Sequence, residues 1–367
     1  MKAFKRVFRG LPDPRAGNAR HDLFEVLFIA LAATLCGADS CSEMAEFGQS
    51  KEGFLRLFLQ LEHGIPSHDT FSRVFRLIKP EAFEKAFRRF ISDFAKANKL
   101  TLTGVVAVDG KALRGAFERG RRSTPLHMVN VWAVEARICL AQRKAPGRNE
   151  SAGALEALAM LDLEGCIVTA DALHCHRGFA AMVLDRGGDY VLALKNNQSK
   201  LFAAAGRRFA RSGERSTAER IEPSTHDRSE ARRATVVRDV GFGAEDGFPG
   251  VKALGRITSR RRSHNKPAEP PLVRYFLLSK YVPAKRLLAI VRSHWGIENK
   301  LHWVLDVIMN EDRNRARRDH APENLATLRR LALNILRSHP DNKSMRRKIK
   351  RAGWDDAFLT SIISHMR

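Results

Sequence analysis

The stretches VVAVDGKALRG (residues 105–115) and CIVTADALHCH (166–176) each close a run of apolar and β-branched residues on an aspartate, Asp109 and Asp171. Such runs predict strands of a buried sheet. A carboxylate at the end of a buried strand is costly unless it is paired, folded into a turn or coordinated. For either Asp alone, a turn or helix cap is a sufficient account. Two strand ends sharing the arrangement weaken that account, because adjacent carboxylates repel and a hard divalent cation relieves the repulsion.

Working outward, three β-rich runs, TLTGVVAVDGKAL, HMVNVWAVEA and RICLAQRKA, are followed by a helical segment ESAGALEALAMLDL. Then come the strand GCIVTADAL, the helix FAAMVLDRGG and the strand DYVLALK. Three strands and then alternating helix and strand predict an α/β fold, a mixed sheet flanked by helices. Upstream, residues 22 to 98 repeat with helical period; Ser67 is an N-cap behind Pro66, Asp69 suits the helix dipole and Pro80 opens the next helix.

The organisation expected is a helical N-terminal domain at 1–100 and the first part of the core at 101–205. A β-rich basic insertion follows at 206–282, containing RATVVRDVG, VKALGRITSRRR and VRYFLLSK. The core resumes at 283–340, and 341–367 is a basic C-terminal tail read as a surface helix. The insertion is expected to lie over the active site.

The resumed core carries VRSHWGIENKLHWVLD (291–306), where Glu298 supplies a third carboxylate. On a helix, Ile297, Leu301, Val304, Leu305 and Ile308 form the apolar stripe, and Glu298 borders it with His302 four residues on. From that border a glutamate can reach the strand ends. A plain Glu–His surface pair is the alternative, and Asp306 and Glu311 are rival carboxylates that spacing leaves open. Trp295 and Trp303 are expected in the core.

The chain has 64 Lys and Arg against 40 Asp and Glu, a net charge of +24, with 44% apolar residues. Such a surplus on a globular chain points to a polyanionic partner, nucleic acid above all. Three carboxylates in that setting suit two-metal phosphoryl transfer. Lys111 and Lys195 are candidates for strand phosphates, and the clusters Arg260, Arg261, Arg262, RNRARR (313–318) and RRKIKR (346–351) for DNA. His174, Cys175 and His176 lack a second ligand pair at zinc spacing. Five scattered cysteines do not make a disulfide framework. The longest apolar run, interrupted by Glu25, is too short to span a bilayer, and the expected location is cytoplasmic, at the nucleoid.

The segments LPDPRAGNARHDL, HGIPSHDTFSRVF, VAVDGKALRGA, the NE of RKAPGRNESAGALEAL, LDLEGCIVTADALHC, GGDYVLALKNNQ and RSHWGIENKLHWVLDVIMNEDRNRAR occur in that order over nearly the whole chain. In these the sequence resembles the H-repeat-associated (ISAs1-type) transposases of the IS4-like DDE group. The resemblance implies an RNase H-like core with Asp109, Asp171 and Glu298 as catalytic and metal-binding residues, and an insertion before the helix of the Glu. It implies two Mg2+ ions, replaceable by Mn2+, double-stranded DNA as partner in the form of terminal inverted repeats and target, and a homodimer in the DNA complex. One departure stands out. The IS4-like signature places an Arg four residues before the Glu and a Lys seven after it, where this chain has His294 and Leu305. Arg292, His294 and His302 are then the candidates for clamping phosphate.

Overall fold

The computed structural model describes residues 2–366 apart from 16, 18, 119–120, 212–214, 226–227, 240–241, 245–246 and 264–269. The side chains of 118, 121–123, 196, 222–225, 228, 262 and 263 also lie outside the description, and with them the Arg262 expected at DNA.

The N-terminal region is helical: α1 (Lys2–Phe8), α2 (Leu23–Leu35), α3 (Cys41–Ser50), α4 (Glu52–Leu55), α5 (His68–Leu77) and α6 (Pro80–Ala97). Helix α2, LFEVLFIALAATL, is apolar around its whole circumference and is buried along almost all its length, as such a helix must be. Each of its large side chains stabilises the fold by roughly 1.5–3 kcal/mol. Its one acid, Glu25, accepts the N–H groups of Gln60 and Leu61 at 2.8 and 3.0 Å. Ser67 caps α5 through the Thr70 N–H, and Pro80 opens α6.

The sheet begins as an antiparallel meander of β1 (Gly104–Glu118), β2 (Arg121–Ala133) and β3 (Ile138–Lys144). Helix α7 (Glu150–Ala159) leads to β4 (Cys166–Ala170), parallel to β1, and α8 (Arg177–Asp185) to β5 (Asp189–Leu194), parallel to β4. This is an RNase H-like core. After α9 (Ser199–Arg211), the insertion supplies β6 (Ser216–Thr225), β7 (Arg228–Arg238), β8 (Ala253–Ser263) and β9 (Leu272–Leu278). Strand β9 pairs antiparallel with β5, so the sheet runs β3-β2-β1-β4-β5-β9-β8-β7-β6. The insertion thus prolongs the core sheet edge to edge, through the hydrogen bonds that β5 has left to give.

Helix α10 (Ala284–His294) then leads through a π-helical turn, Glu298–His302, into α11 (Trp303–Val307). Helix α12 (Ala321–Ser338) is buried over most of its length and packs on α2, α5, α6 and β3, joining the helical region to the sheet. Its Asn334 amide both accepts from the Cys139 N–H and donates to the Cys139 carbonyl, at 2.9 and 2.8 Å, satisfying the free edge of β3. The tail expected as a surface helix is two helices, α13 (Met345–Trp354) and α14 (Asp356–His365), packed against the helical region. There Lys348 is buried, its ammonium donating to the carbonyls of Leu336 and His339 at 2.8 and 2.9 Å.

Candidate active site

The β1–β4 parallel register ends at Val108 opposite Ala170, so Asp109 and Asp171 are the next residues on neighbouring strands about 4.8 Å apart. Asp109 is not at a strand end, as the sequence suggested. Strand β1 continues to Glu118, paired with β2 alone, and Asp109 stands opposite Asn130. What ends at Asp109 is the pairing with β4.

The Asp109 carboxylate accepts the Gly110 N–H at 3.0 Å. Burial, and next the charges of Asp171 and Glu298, push its pKa up to about 7. Asp171 is exposed and its Oδ1 accepts the Leu173 N–H at 2.8 Å. It is therefore a cap as well as the neighbour of Asp109.

Glu298 opens the π turn and is exposed, while Ile297 and Leu301 are fully buried. The widened turn replaces the continuous α-helix read from the sequence, a departure often found at functional positions. His302, at the other end of the turn, brings its Nδ1 to 3.6 Å from the Asp109 Oδ2.

The rival acids are occupied elsewhere. Lys111, buried, brings its ammonium to 2.6 Å from Asp306, 3.2 Å from Asp312 and 3.5 Å from Glu311. Glu311 is fully buried with Arg330 at 2.6 Å, and the cations Arg330 and Lys111 overcome the burial to hold its pKa down to about 2. Lys111, expected at a phosphate, is thus spent on carboxylates. Among the described residues, Asp109, Asp171 and Glu298 have no Lys or Arg partner, in a chain that has 64 of them.

Among the described residues, no three His, Cys, Asp or Glu side chains already enclose a metal-binding point. The three carboxylates meet through their charges and not through a closed coordination sphere. Their chemistry nevertheless fits a hard divalent cation: oxygen donors only, mutually repelling, uncompensated by protein cations.

The two histidines expected as clamps are neutral at pH 7. Burial pushes the pKa of His294 down to about 4 and that of His302 down to about 3. His294 Nδ1 lies 3.0 Å from the Thr169 hydroxyl on β4, fastening the end of α10 to the strand of Asp171. Lys195 follows β5 directly and is exposed, as are Arg292 and Arg260. Arg261 is also exposed, 3.6 Å from Glu230. Trp295 and Trp303, expected in the core, are instead 41% and 52% exposed, because helical spacing sets both on the side away from the buried Ile297, Leu301 and Leu305. Arg232 lies 6.0 Å from the Trp295 ring. His176 caps α8, accepting the Phe179 N–H at 3.2 Å, and burial pushes the neighbouring Cys175 thiol up to about 12.

Three residues at the site went unassigned in the sequence. Glu150, the acid of the NE pair, adds its charge to that felt by Asp109, and its carboxylate lies where a Cβ on Gly110 would stand. The His127 ring holds it at 2.8 Å. Asn130, fully buried, accepts from Arg330 Nε at 2.7 Å and brings its amide to 3.5 Å from His302 Nε2. The NE pair was a visible signal. Asn130 and Arg330 had none, because one lies in an apolar strand and the other is one of three arginines on an amphipathic helix.

The pattern of the Transposase DDE domain family matches residues 101–335, and that of the DDE_Tnp_1-associated family matches residues 5–91. The chain is 34% identical over 363 residues to "Putative transposase YncI" of Escherichia coli O157:H7, covering 96% of this chain and 92% of that protein. It is 32% identical over 364 residues to "H repeat-associated putative transposase YhhI" of Escherichia coli K12, covering 96% of each. An "Uncharacterized protein in dhlA 3'region" of Xanthobacter autotrophicus is 40% identical over 266 residues, 70% of this chain and 88% of that one.

Proposed function

The chain belongs to the DDE transposase family, in its H-repeat-associated branch, and from that premise we propose that it cuts DNA at the ends of its own mobile element and joins the 3′ ends to a target. Asp109, Asp171 and Glu298 would hold two Mg2+ ions, with Mn2+ able to substitute. The observation that carries this proposal is that these three carboxylates repel one another with no cationic partner among the described residues, while Asp306, Asp312 and Glu311 are paired with Lys111 and Arg330.

Bound cations supply the positive charge that acidifies a water or 3′-hydroxyl and offsets charge on the leaving oxygen. The protein's own part is to hold the acids in place. Parallel register sets Asp109 beside Asp171, and Glu298, which opens the π turn and whose charge Asp109 feels, would complete the set. The neutral His302 ring lies against Asp109 without adding positive charge to it. His294 fixes the helix end to Thr169. Lys195, Arg260, Arg261 and Arg292, all exposed, would take backbone phosphates. In the helical N-terminal region, Arg73 and Arg89 are exposed and would contact element ends, whereas Arg76 is paired with Asp319 and Arg88 with Glu84. The active DNA complex would be a homodimer at the nucleoid.

The test is cleavage and joining of duplexes carrying the DNA that flanks the gene, in Mg2+, with binding measured separately. Glu298→Gln is expected to abolish cleavage and keep binding, and Asp306→Asn, which only frees Lys111, to cleave. Cleavage by Glu298→Gln with none by a folded Asp306→Asn would reassign the third acid. Cleavage without joining would make the protein a nuclease.

A further inference from the structure

A cavity of about 610 Å3 opens beside the carboxyl ends of β4 and β5, outside the group of three acids. Its wall is built from two short segments, His176 to Gly178 and Asn197 to Leu201, closed by Phe248. The two segments are tied together: Asn197 donates to the Ala172 carbonyl at 2.8 Å and Gln198 to the Cys175 carbonyl at 3.2 Å. Ala172 follows Asp171 directly, so the cavity is anchored to one of the metal-facing acids.

The lining has a single chemical character. Arg177 and Lys200 are its charged groups, both exposed, and no carboxylate is among its described residues. The Arg177 guanidinium lies along Gly247, whose positive φ of 67° keeps that position bare of a side chain. His176 spends Nδ1 on the Phe179 N–H, and its buried Nε2 has no partner among the described atoms. With Nδ1 accepting, a neutral ring carries its proton on Nε2, a buried donor beside the wall. The Ser199 hydroxyl adds another. Two helices, α8 and α9, also begin here, and neither has an acid in its first turn, so their N–H groups and dipoles add positive potential that no side chain of the turn offsets. A site of donors and cations without acceptor charge takes an anion.

We infer that this cavity seats a backbone phosphodiester of a DNA strand running past Asp171, held by Arg177, Lys200 and Ser199. The inference rests on the proposal that DNA is the substrate, and it assigns a strand path that leaves the carboxylates on the β4–β5 side. Seated there, one or two phosphates would set the reacting phosphodiester against Asp109 and Asp171. The phosphate could belong to the element strand or to the target strand, which share the same backbone chemistry.

The experiment is DNA binding by the full chain in EDTA, followed by fluorescence anisotropy across a salt series. One labelled duplex carries the element-flanking end and another is unrelated in sequence. Each phosphate that is no longer neutralised should flatten log K against log salt by about 0.9, so Arg177→Ala with Lys200→Ala should flatten it by about 0.9 for one seated phosphate and by roughly 1.8 for two. Ser199→Asp gives a second arm. An acid in the first turn of α9 favours the helix, so its melting temperature should hold or rise while DNA affinity falls, which a folding defect cannot mimic. Weaker binding of the end-bearing duplex alone assigns the element strand, and weaker binding of both assigns the target strand as well. If the wild type binds DNA and the Arg177→Ala, Lys200→Ala and Ser199→Asp variants keep its slope and affinity on both duplexes, the cavity is not a phosphate site and the transposase proposal stands. If the wild type shows no salt-dependent binding at all, the transposase proposal itself fails.

Discussion

Replacing Asp109 by Asn removes the charge that its surroundings least tolerate. Its carboxyl is shifted from 3.8 to about 7, by burial first and then by Asp171 and Glu298, and its side chain is 25% exposed. A carboxyl raised in the folded state makes the fold bind the proton more tightly than the unfolded chain does. The stability so gained is complete below about pH 4 and is lost as pH rises through about 7. Three pKa units at about 1.4 kcal/mol each amount to roughly 4 kcal/mol. Metal-free Asp109→Asn should therefore match the wild type near pH 4 and exceed it by about that amount near pH 8. The assay is urea unfolding of both proteins across that range. Comparing the two cancels the titration of Glu84, Glu311 and Glu323, which both proteins share. Added Mg2+ should narrow the gap by stabilising only the wild type. A gap that stays flat with pH, or a wild type that is the more stable near pH 8, would refute the crowding of carboxylates at this site.

Three further outcomes are expected. Arg330→Met leaves the buried Glu311 with Lys111 and the charge of Arg329 and should cost about 3–5 kcal/mol in urea unfolding, most of it recovered when Glu311→Leu is added. Gly110→Ala drives a methyl into the Glu150 carboxylate and should reduce cleavage in a folded protein, with Glu150→Ala restoring the space; equal defects in the single and double variants would show that the close approach is irrelevant. Arg260→Ala with Arg261→Ala should weaken DNA binding across sequences and lower the salt slope by about one unit per phosphate released, the Arg261 share being smaller because Glu230 already lies 3.6 Å away.

Much of the fold is legible along the chain because its signals are local. The β-branched runs ending at Val108 and Ala170, the Ser67 cap and Pro80 act within a few residues of themselves, and the structure has strands and helix starts at those places. The run of strand β1 beyond Leu113, to Glu118, was not legible. RGAFE has little strand propensity of its own, and its extended form comes from pairing with β2. The insertion read correctly as β-rich, but a strand carries no mark of which edge it will join, and β9 found β5.

The same division holds at the site. By itself the sequence placed two aspartates at the ends of apolar runs and an acid on a later helix, because apolar periodicity sets which residues end a run or border a helix face. Only the tertiary structure decided which of Glu298, Asp306 and Glu311 meet a cation and which, among the described residues, does not. That choice depends on where Lys111 of β1 and Arg330 of α12 deliver their charge, across long separations in sequence. The π turn at Glu298–His302 is likewise announced by no helical pattern. Periodicity is written in neighbouring residues, whereas the pairing of a buried charge is settled by whichever distant group the packed core brings within a few ångströms of it.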